Sequence, residues 1–254
     1  MASDERRVTP VATVGLVLAV LAALAGLSAG LGYRLGWWSL GAGFGLLRYA
    51  AYGAITAMAV SVVGLALARP GGGRRGLYRA LAGLVLGAVV FGVPWSYLRA
   101  AQQVPPIHDI TTDTENPPAF VAILPLRADA SNPAEYGGEE IAAQQRAAYP
   151  AIRPVSTALP PDQAFEEALA TAQDQGWEIV AAVPAEGRIE ATDTTFWWGF
   201  KDDVVIRITS EASGSRVDVR SKSRVGIGDV GTNAARVEAF LEQLEERVPG
   251  TASG

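Results

Sequence analysis

Three uncharged apolar runs constrain this chain more than any other feature. Residues 11–31, 49–68 and 80–98 contain no Asp, Glu, Lys or Arg. At ~1.5 Å rise per residue, each run wound as a helix matches the ~30 Å hydrocarbon thickness of a bilayer. Only a helix or a closed barrel satisfies its own backbone in lipid, so the three runs read as membrane-spanning helices. Pro94 falls near the end of the third, where a lost backbone donor costs least. Tyr33, Trp37, Trp38, Trp95 and Tyr97 mark the ends of the runs, as interfacial aromatics do. A competing reading takes the first run as a signal peptide cleaved near residues 23–25. The run exceeds the ~7–15 apolar residues of such a peptide's core, and the spanning reading is preferred. The runs contain no ionisable Asp, Glu, Lys or His that would carry a proton or ion through lipid.

Charge divides the chain in two. Residues 1–100 hold nine Arg against Asp4 and Glu5, and residues 101–254 hold twelve Lys plus Arg against twenty-four Asp plus Glu. Basic loops stay in the cytoplasm. Arg6, Arg7, Arg69, Arg74, Arg75 and Arg79 would share one side of the membrane, and Arg34, Arg48 and Arg99 the other. The expected topology puts the N-terminus in the cytoplasm of a bacterium and everything after Arg99 in the periplasm. An acidic outer part with two Lys excludes nucleic acid as an expected partner, since phosphate neutralisation needs a basic surface. Membrane lipids and a membrane-protein partner are the expected neighbours. The spacings Gly26-x3-Gly30, Gly32-x3-Gly36 and Gly83-x3-Gly87 let helix backbones approach closely, first within this chain and second against a partner.

With no Cys and a single His, His108, thiol chemistry, disulfides and multi-His metal centres are excluded. His108-Asp109 with Asp113 and Glu115 is a weak metal pattern in a Pro-flanked segment, better read as a surface turn. No metal and no cofactor are expected.

The expected organisation is a transmembrane domain over residues 1–100, a Pro-rich tether over 101–160 that lies on the following domain, and a periplasmic α+β domain over 161–254. Ten of the fifteen Pro lie in residues 104–161, which favours extended backbone with one short helix near 138–148. Beyond them, helices at 162–175 and 232–248 bracket four strands near 177–183, 188–194, 196–209 and 215–225. Helices packed on one face of this antiparallel sheet give an α+β fold. Asn233 is the expected cap of the last helix.

Side chains alternate along a strand, so Phe196, Trp198, Phe200, Val204, Ile206 and Ile208 are placed on one face, with Val217, Val219 and Val225 on the next strand. Merging those faces requires paired residue numbers that sum to an odd value, such as 425. Ile206 then faces Val219, and on the outer face Arg207 meets Asp218 and Asp203 meets Lys222. Asp202, Ser221 and Ser223 turn toward the apolar side.

Residues 200–207, FKDDVVIR, 217–226, VDVRSKSRVG, and 229–236, DVGTNAAR, together resemble the core motif of the family catalogued as domain of unknown function 1499. The resemblance covers about residues 105–248 and extends to a bacterial branch with an N-terminal membrane region. It implies a domain outside the cytoplasm and supplies no established reaction. Trp197-Trp198 departs from the family pattern; Trp197 is placed away from the apolar face, either as a contact with a membrane or partner or beneath the Pro-rich segment, and Gly26, Gly30, Gly83 and Gly87 are further partner-contact candidates.

Two groups of side chains are candidates for binding or chemistry. Arg216, Arg220, Lys222 and Arg224 alternate on the outer face, either as an anion site or as a solvated face paired with Asp203 and Asp218. Asp202, Ser221, Ser223, Asp229 and Asn233, with Gly226 and Gly228, form the second candidate, either a ligand site or a hydrogen-bonded structural network. The glycine pattern of residues 226–231 resembles a dinucleotide fingerprint, but no parallel strand follows the helix after it, so a turn that needs glycine is the better reading. The expected role is a non-catalytic accessory, assembly or interaction subunit of a larger membrane complex. The alternative is an envelope enzyme or a lipid or anion binder built on Asp202, Ser223, Arg224 and the glycine loop.

Overall fold

A computed structural model describes residues 9–68 and 75–248. Arg6, Arg7, Arg69 and Arg74, which weigh in the charge argument, lie outside the described residues. The chain divides into two compact units, one of residues 1–99 with Trp197–Gly199, the other of residues 100–196 and 200–254.

The first unit contains α1 (Pro10–Arg34), α2 (Leu40–Leu67) and α3 (Leu77–Ala101), all long and apolar enough to cross a membrane. Pro10 sits in the first turn of α1, where its missing N–H costs nothing. Ser39 caps α2 by accepting from the amide of Ala42. The helix begins well before the expected run at 49 and includes Arg48, whose guanidinium lies 5.7 Å from the Tyr49 ring centre. An uncharged run marks what hydrocarbon tolerates, whereas backbone hydrogen bonding carries the helix past a charge.

The buried residues of α1 are all Ala or Gly, while Val14, Val17, Leu21 and Leu24 face outward. Small side chains inside and large ones outside are the arrangement expected where lipid, not water, is the solvent. A Cβ on Gly83 would lie 2.5 Å from Ser61 Oγ and 3.0 Å from the Gly15 carbonyl carbon. One on Gly87 would lie 2.8 Å from Met58 Cγ and 3.1 Å from Ala54 O. Gly83 and Gly87 thus seat the neighbouring helices of this same chain. Gly26 is less demanding, with Ala50 Cβ at 3.7 Å.

The second unit runs β1 (Asp109–Thr111), a 3-10 turn (Leu124–Arg127), α4 (Glu139–Ala148), β2 (Val155–Thr157), α5 (Pro161–Asp174), β3 (Glu178–Val183), β4 (Arg188–Thr194), β5 (Lys201–Glu211), β6 (Gly214–Ser223) and α6 (Thr232–Arg247). The sheet is antiparallel, with order β1-β6-β5-β4-β3 and β2 also paired to β6. It has six strands instead of the expected four. The two additional strands come from the Pro-rich stretch, each three residues long and placed end to end along the edge of β6. Strands this short carry no readable alternation, so periodicity misses them.

The β5–β6 register is the expected one: Ile206 pairs with Val219, Arg207 with Asp218, Asp203 with Lys222 and Asp202 with Ser223. Val204, Ile206, Ile208, Val217 and Val219 pack with Phe165, Trp177, Phe240, Leu241 and Leu244 in the main core, beneath α5 and α6. Trp177 stacks on Phe240 with ring centres 5.4 Å apart. One expectation fails: β5 begins only at Lys201, so Phe196, Trp198 and Phe200 are not on its apolar face. Residues 195–200 instead form a turn, closed by Thr195 Oγ1 accepting from the amide of Phe200.

Candidate functional site

The sheet's second face was expected to be solvated, and it is buried. Asp109, Glu190, Asp203, Asp218, Arg220 and Lys222 are each at most 3% exposed. The cover is the irregular segment of residues 112–136. Phe120 and Ile123 pack on Val205 in a small second core, and the Arg220 guanidinium lies 4.9 Å from the Phe120 ring centre.

Charged side chains hold this cover by its backbone. Glu190 accepts the amides of Val121, Ala122 and Ile123 at 2.9–3.0 Å. Arg220 donates to the carbonyls of Pro118 and Ala134, Lys222 to Glu135 O, and Arg224 to Leu126 O. Arg127, from the cover itself, donates to Asn132 O and Ser223 O. The same groups pair among themselves. Asp109 binds Arg220 through both oxygens at 2.8 Å and Lys222 at 2.9 Å. Asp203 receives Arg224 on both oxygens and Arg127 at 2.6 Å. Asp218 joins Arg207 and Arg216, and both guanidinia also reach Asp113. Burial pushes the Lys222 ammonium below its ordinary value, against the pull of Asp109. The Tyr136 hydroxyl is pushed up to about 12, first by burial and then by Asp109.

The candidates Asp202, Ser221, Ser223, Asp229 and Asn233 do come together, on the helix side of the sheet. Asn233 is their hub. Ser221 Oγ donates to its Oδ1 at 2.6 Å, and its Nδ2 donates to Ser223 Oγ at 2.9 Å and to His108 O at 3.2 Å. Arg236 closes the group, donating to Ser221, Asn233, Asp193 and Asp202 at 2.6–3.0 Å. Asn233 does not cap α6. Asp229 does so instead, its two oxygens accepting the amides of Gly231 (2.9 Å) and Asn233 (2.7 Å). A carboxylate of the chain therefore occupies the anion position at that helix start. Burial raises the Asp229 carboxyl, outweighing those amides.

Arg224 is not part of this group. It points to the other face and binds Asp203, so the combination of Asp202, Ser223 and Arg224 is split by the sheet. Gly226 and Gly231 have φ of 100° and 82°, values that favour glycine. Gly228 backs onto Pro106, where a Cβ would meet Cα at 3.1 Å. The glycines thus shape a turn. His108 Nδ1 donates to Ile227 O at 3.0 Å, while Asp109 and Asp113 are held by cations. Among the described residues no three His, Asp or Glu are grouped to hold a metal.

Sequence reasoning missed Arg127, Glu190 and Arg236. Glu190 and Arg127 lie in stretches whose polarity reads as surface, and only Arg236 falls within a quoted motif. Chemically, the hydroxyls and carboxylates of the helix-side cluster are joined to the Arg236 guanidinium and the Asn233 amide, and the His108 ring is bonded to Ile227 O instead of a serine. The arrangement fixes β6 to α6.

Residues 109–244, more than half of the chain, match the family model described as protein of unknown function DUF1499. The chain belongs to the DUF1499 family. No curated protein and no solved structure matches it. The matched span begins at Asp109 on β1 and ends at Leu244 on α6, so it takes in both faces of the sheet and the irregular cover. Within the matched span, Asp203, Arg220, Lys222 and Arg224 serve the cover, and Asp202, Ser221, Ser223, Asp229, Asn233 and Arg236 serve α6.

Trp197 lies with the helical unit. Its Nε1 donates to Leu27 O at 3.0 Å, and a Cβ on Gly30 would approach that nitrogen to 2.7 Å. Trp198 packs on Phe44 with ring centres 4.8 Å apart, above Gly43. Two of the partner-contact candidates, Gly30 and Trp197, are therefore in contact with each other.

Proposed function

We propose that this chain is an integral protein of a bacterial inner membrane that presents its DUF1499 module in the periplasm as a non-catalytic accessory or assembly subunit of a larger membrane complex. The observation that carries the reading is the commitment of the motif's polar groups to the fold. Of the twelve cations in residues 101–254, ten have a carboxylate within 4 Å among the described residues. A charge set spent on internal pairing leaves recognition to surface shape, which suits an interaction module better than a reaction centre. Three apolar helices with small-residue seams support the membrane assignment. The six-to-three distribution of Arg supports a cytoplasmic N-terminus and a periplasmic module.

Purification in mild detergent tests the role: co-migration with a stoichiometric membrane partner is the expected result, and a chain that always migrates alone counts against it. A reporter fused after Gly254 should be active only outside the cytoplasm.

A further inference from the structure

Two distant pieces of chain supply one group of aromatic rings. Tyr33, Trp37, Trp38 and Phe44 come from the end of α1, the start of α2 and the link between them, and Trp197 and Trp198 come from the turn before β5. The rings are seated on glycines: a Cβ on Gly32 would collide with Trp38, one on Gly30 with Trp197 and one on Gly43 with Trp198. Both Trp38 and Trp197 donate their indole N–H to carbonyls of α1, those of Ala29 and Leu27, at 3.0 Å. Trp198 also lies 6.2 Å from the Tyr33 ring and 5.4 Å from Trp197.

The depth of this group follows from helix geometry. With 25 residues α1 is longer than the bilayer's hydrocarbon is thick, ~37 Å against ~30 Å. Leu27 lies seven residues inside Arg34, about 10 Å along the axis at 1.5 Å per residue. Sharing the excess length between the two ends leaves the Leu27 carbonyl roughly 6 Å inside the hydrocarbon boundary. The Trp197 indole bonded to it then lies just below the headgroup level at which interfacial aromatics are enriched.

Phe196 is the neighbouring residue, its Cα about 3.8 Å along the chain from that of Trp197. It is 87% exposed, more than any other large hydrophobic side chain among the described residues. Lys201 follows four residues after Trp197. It is exposed and, among the described residues, has no carboxylate within ion-pair distance, which sets it apart from ten of the module's other cations. Aromatic rings followed by an unpaired cation are the chemistry of a segment whose rings enter acyl chains while its ammonium reaches phosphate oxygens.

We propose that the segment of residues 196–201 lies in the membrane surface, with the phospholipid interface as the partner that covers Phe196 and Lys201. This rests on the reading of α1 as a membrane span. The chain has no Cys, so a single introduced cysteine carries a unique nitroxide label. Phe196→Cys, Leu24→Cys on the outward face of α1, and Glu178→Cys on the exposed start of β3 would each be labelled in the full chain. All three would be reconstituted into phosphatidylethanolamine–phosphatidylglycerol vesicles and read by power saturation with oxygen and with a neutral nickel chelate.

The expected result is that the labels at 196 and 24 relax several-fold more with oxygen than with nickel, and that the label at 178 does the reverse. A label at 196 in the nickel regime, with that at 24 in the oxygen regime, overturns the proposal and leaves the span intact. A label at 196 shielded from both reagents means protein, not lipid, covers it, and also overturns it. A label at 24 in the nickel regime overturns both. Lys201→Cys should report the headgroup level, relaxing with nickel more than 196 and less than 178.

Discussion

The two faces of the DUF1499 sheet are both buried, yet they are closed by different physics. Under α5 and α6 the contact is apolar, with Val204, Ile206, Val219, Phe165 and Phe240 in one cluster. Under residues 112–136 it is dominated by ion pairs and by bonds from side chains to backbone. A helix arrives with its backbone already satisfied and can offer hydrocarbon alone. An irregular segment arrives with unpaired amides and carbonyls, and each buried without a partner costs about 1–3 kcal/mol. The sheet answers with Glu190 for the amides and Arg220, Lys222 and Arg224 for the carbonyls. Because each Pro brings a carbonyl but no N–H, a Pro-rich cover needs more cations than carboxylates.

The largest effects should come from one residue on each face. Glu190→Ala removes the acceptor of three backbone amides and one of the two carboxylates on Arg188, which keeps Glu186, and should cost about 3–5 kcal/mol. Phe240→Ala should cost a similar ~3–5 kcal/mol through the cavity it leaves. Chemical unfolding of the full chain in detergent would compare them. The faces separate in proteolysis: the Glu190 variant should be cut first within residues 112–136, the Phe240 variant should not, and equal cleavage patterns would break the distinction.

A double replacement sharpens the point. If Asp109 and Arg220 served only each other, Asp109→Leu with Arg220→Met would recover most of the loss of either single change. The carbonyls of Pro118 and Ala134 would still lack donors and Lys222 its carboxylate, so the double variant should remain at least about 2 kcal/mol less stable than the parent. Full recovery would reduce the face to simple ion pairing.

The helix side has one titrating group of interest. Burial raises the Asp229 carboxyl above its unfolded value, so its stabilising contribution is complete below the ordinary carboxylate range. It is lost as pH rises through the raised folded value. Unfolding midpoints of the parent should fall across that window and those of Asp229→Asn should not. Smallest of all, Arg146→Ala breaks an exposed pair with Glu139 and should shift stability by less than about 1 kcal/mol.

Much of this was legible because it depends on period. The spans, the α5 and α6 stripes and the β5–β6 pairing all repeat, and the parity of that pairing follows from demanding that two apolar faces coincide. What stayed hidden depends on contacts between residues far apart in sequence. Asp109 and Arg220 meet across 111 positions, and Glu190 reaches amides about 68 residues away. A charged alternation such as Arg216, Arg220, Lys222 looks identical whether water or a proline-rich strap covers it. Asp202, Ser221 and Ser223 share the helix side because strand parity places them on one face, whereas Arg236 escapes since an Arg within a helix ordinarily points to water. The Trp197 turn was misassigned to β5 because aromatic alternation over residues 196–200 imitates a strand.

Glu190 leaves a measurable trace in time as well as in energy. Amides of residues without secondary structure ordinarily exchange with deuterated solvent in moments, yet those of Val121, Ala122 and Ile123 are closed by a carboxylate rooted in the sheet interior. Their protons can escape only when the strap lifts as a piece. Three slow, synchronous amides in an unstructured stretch would be the module's own clock for that opening.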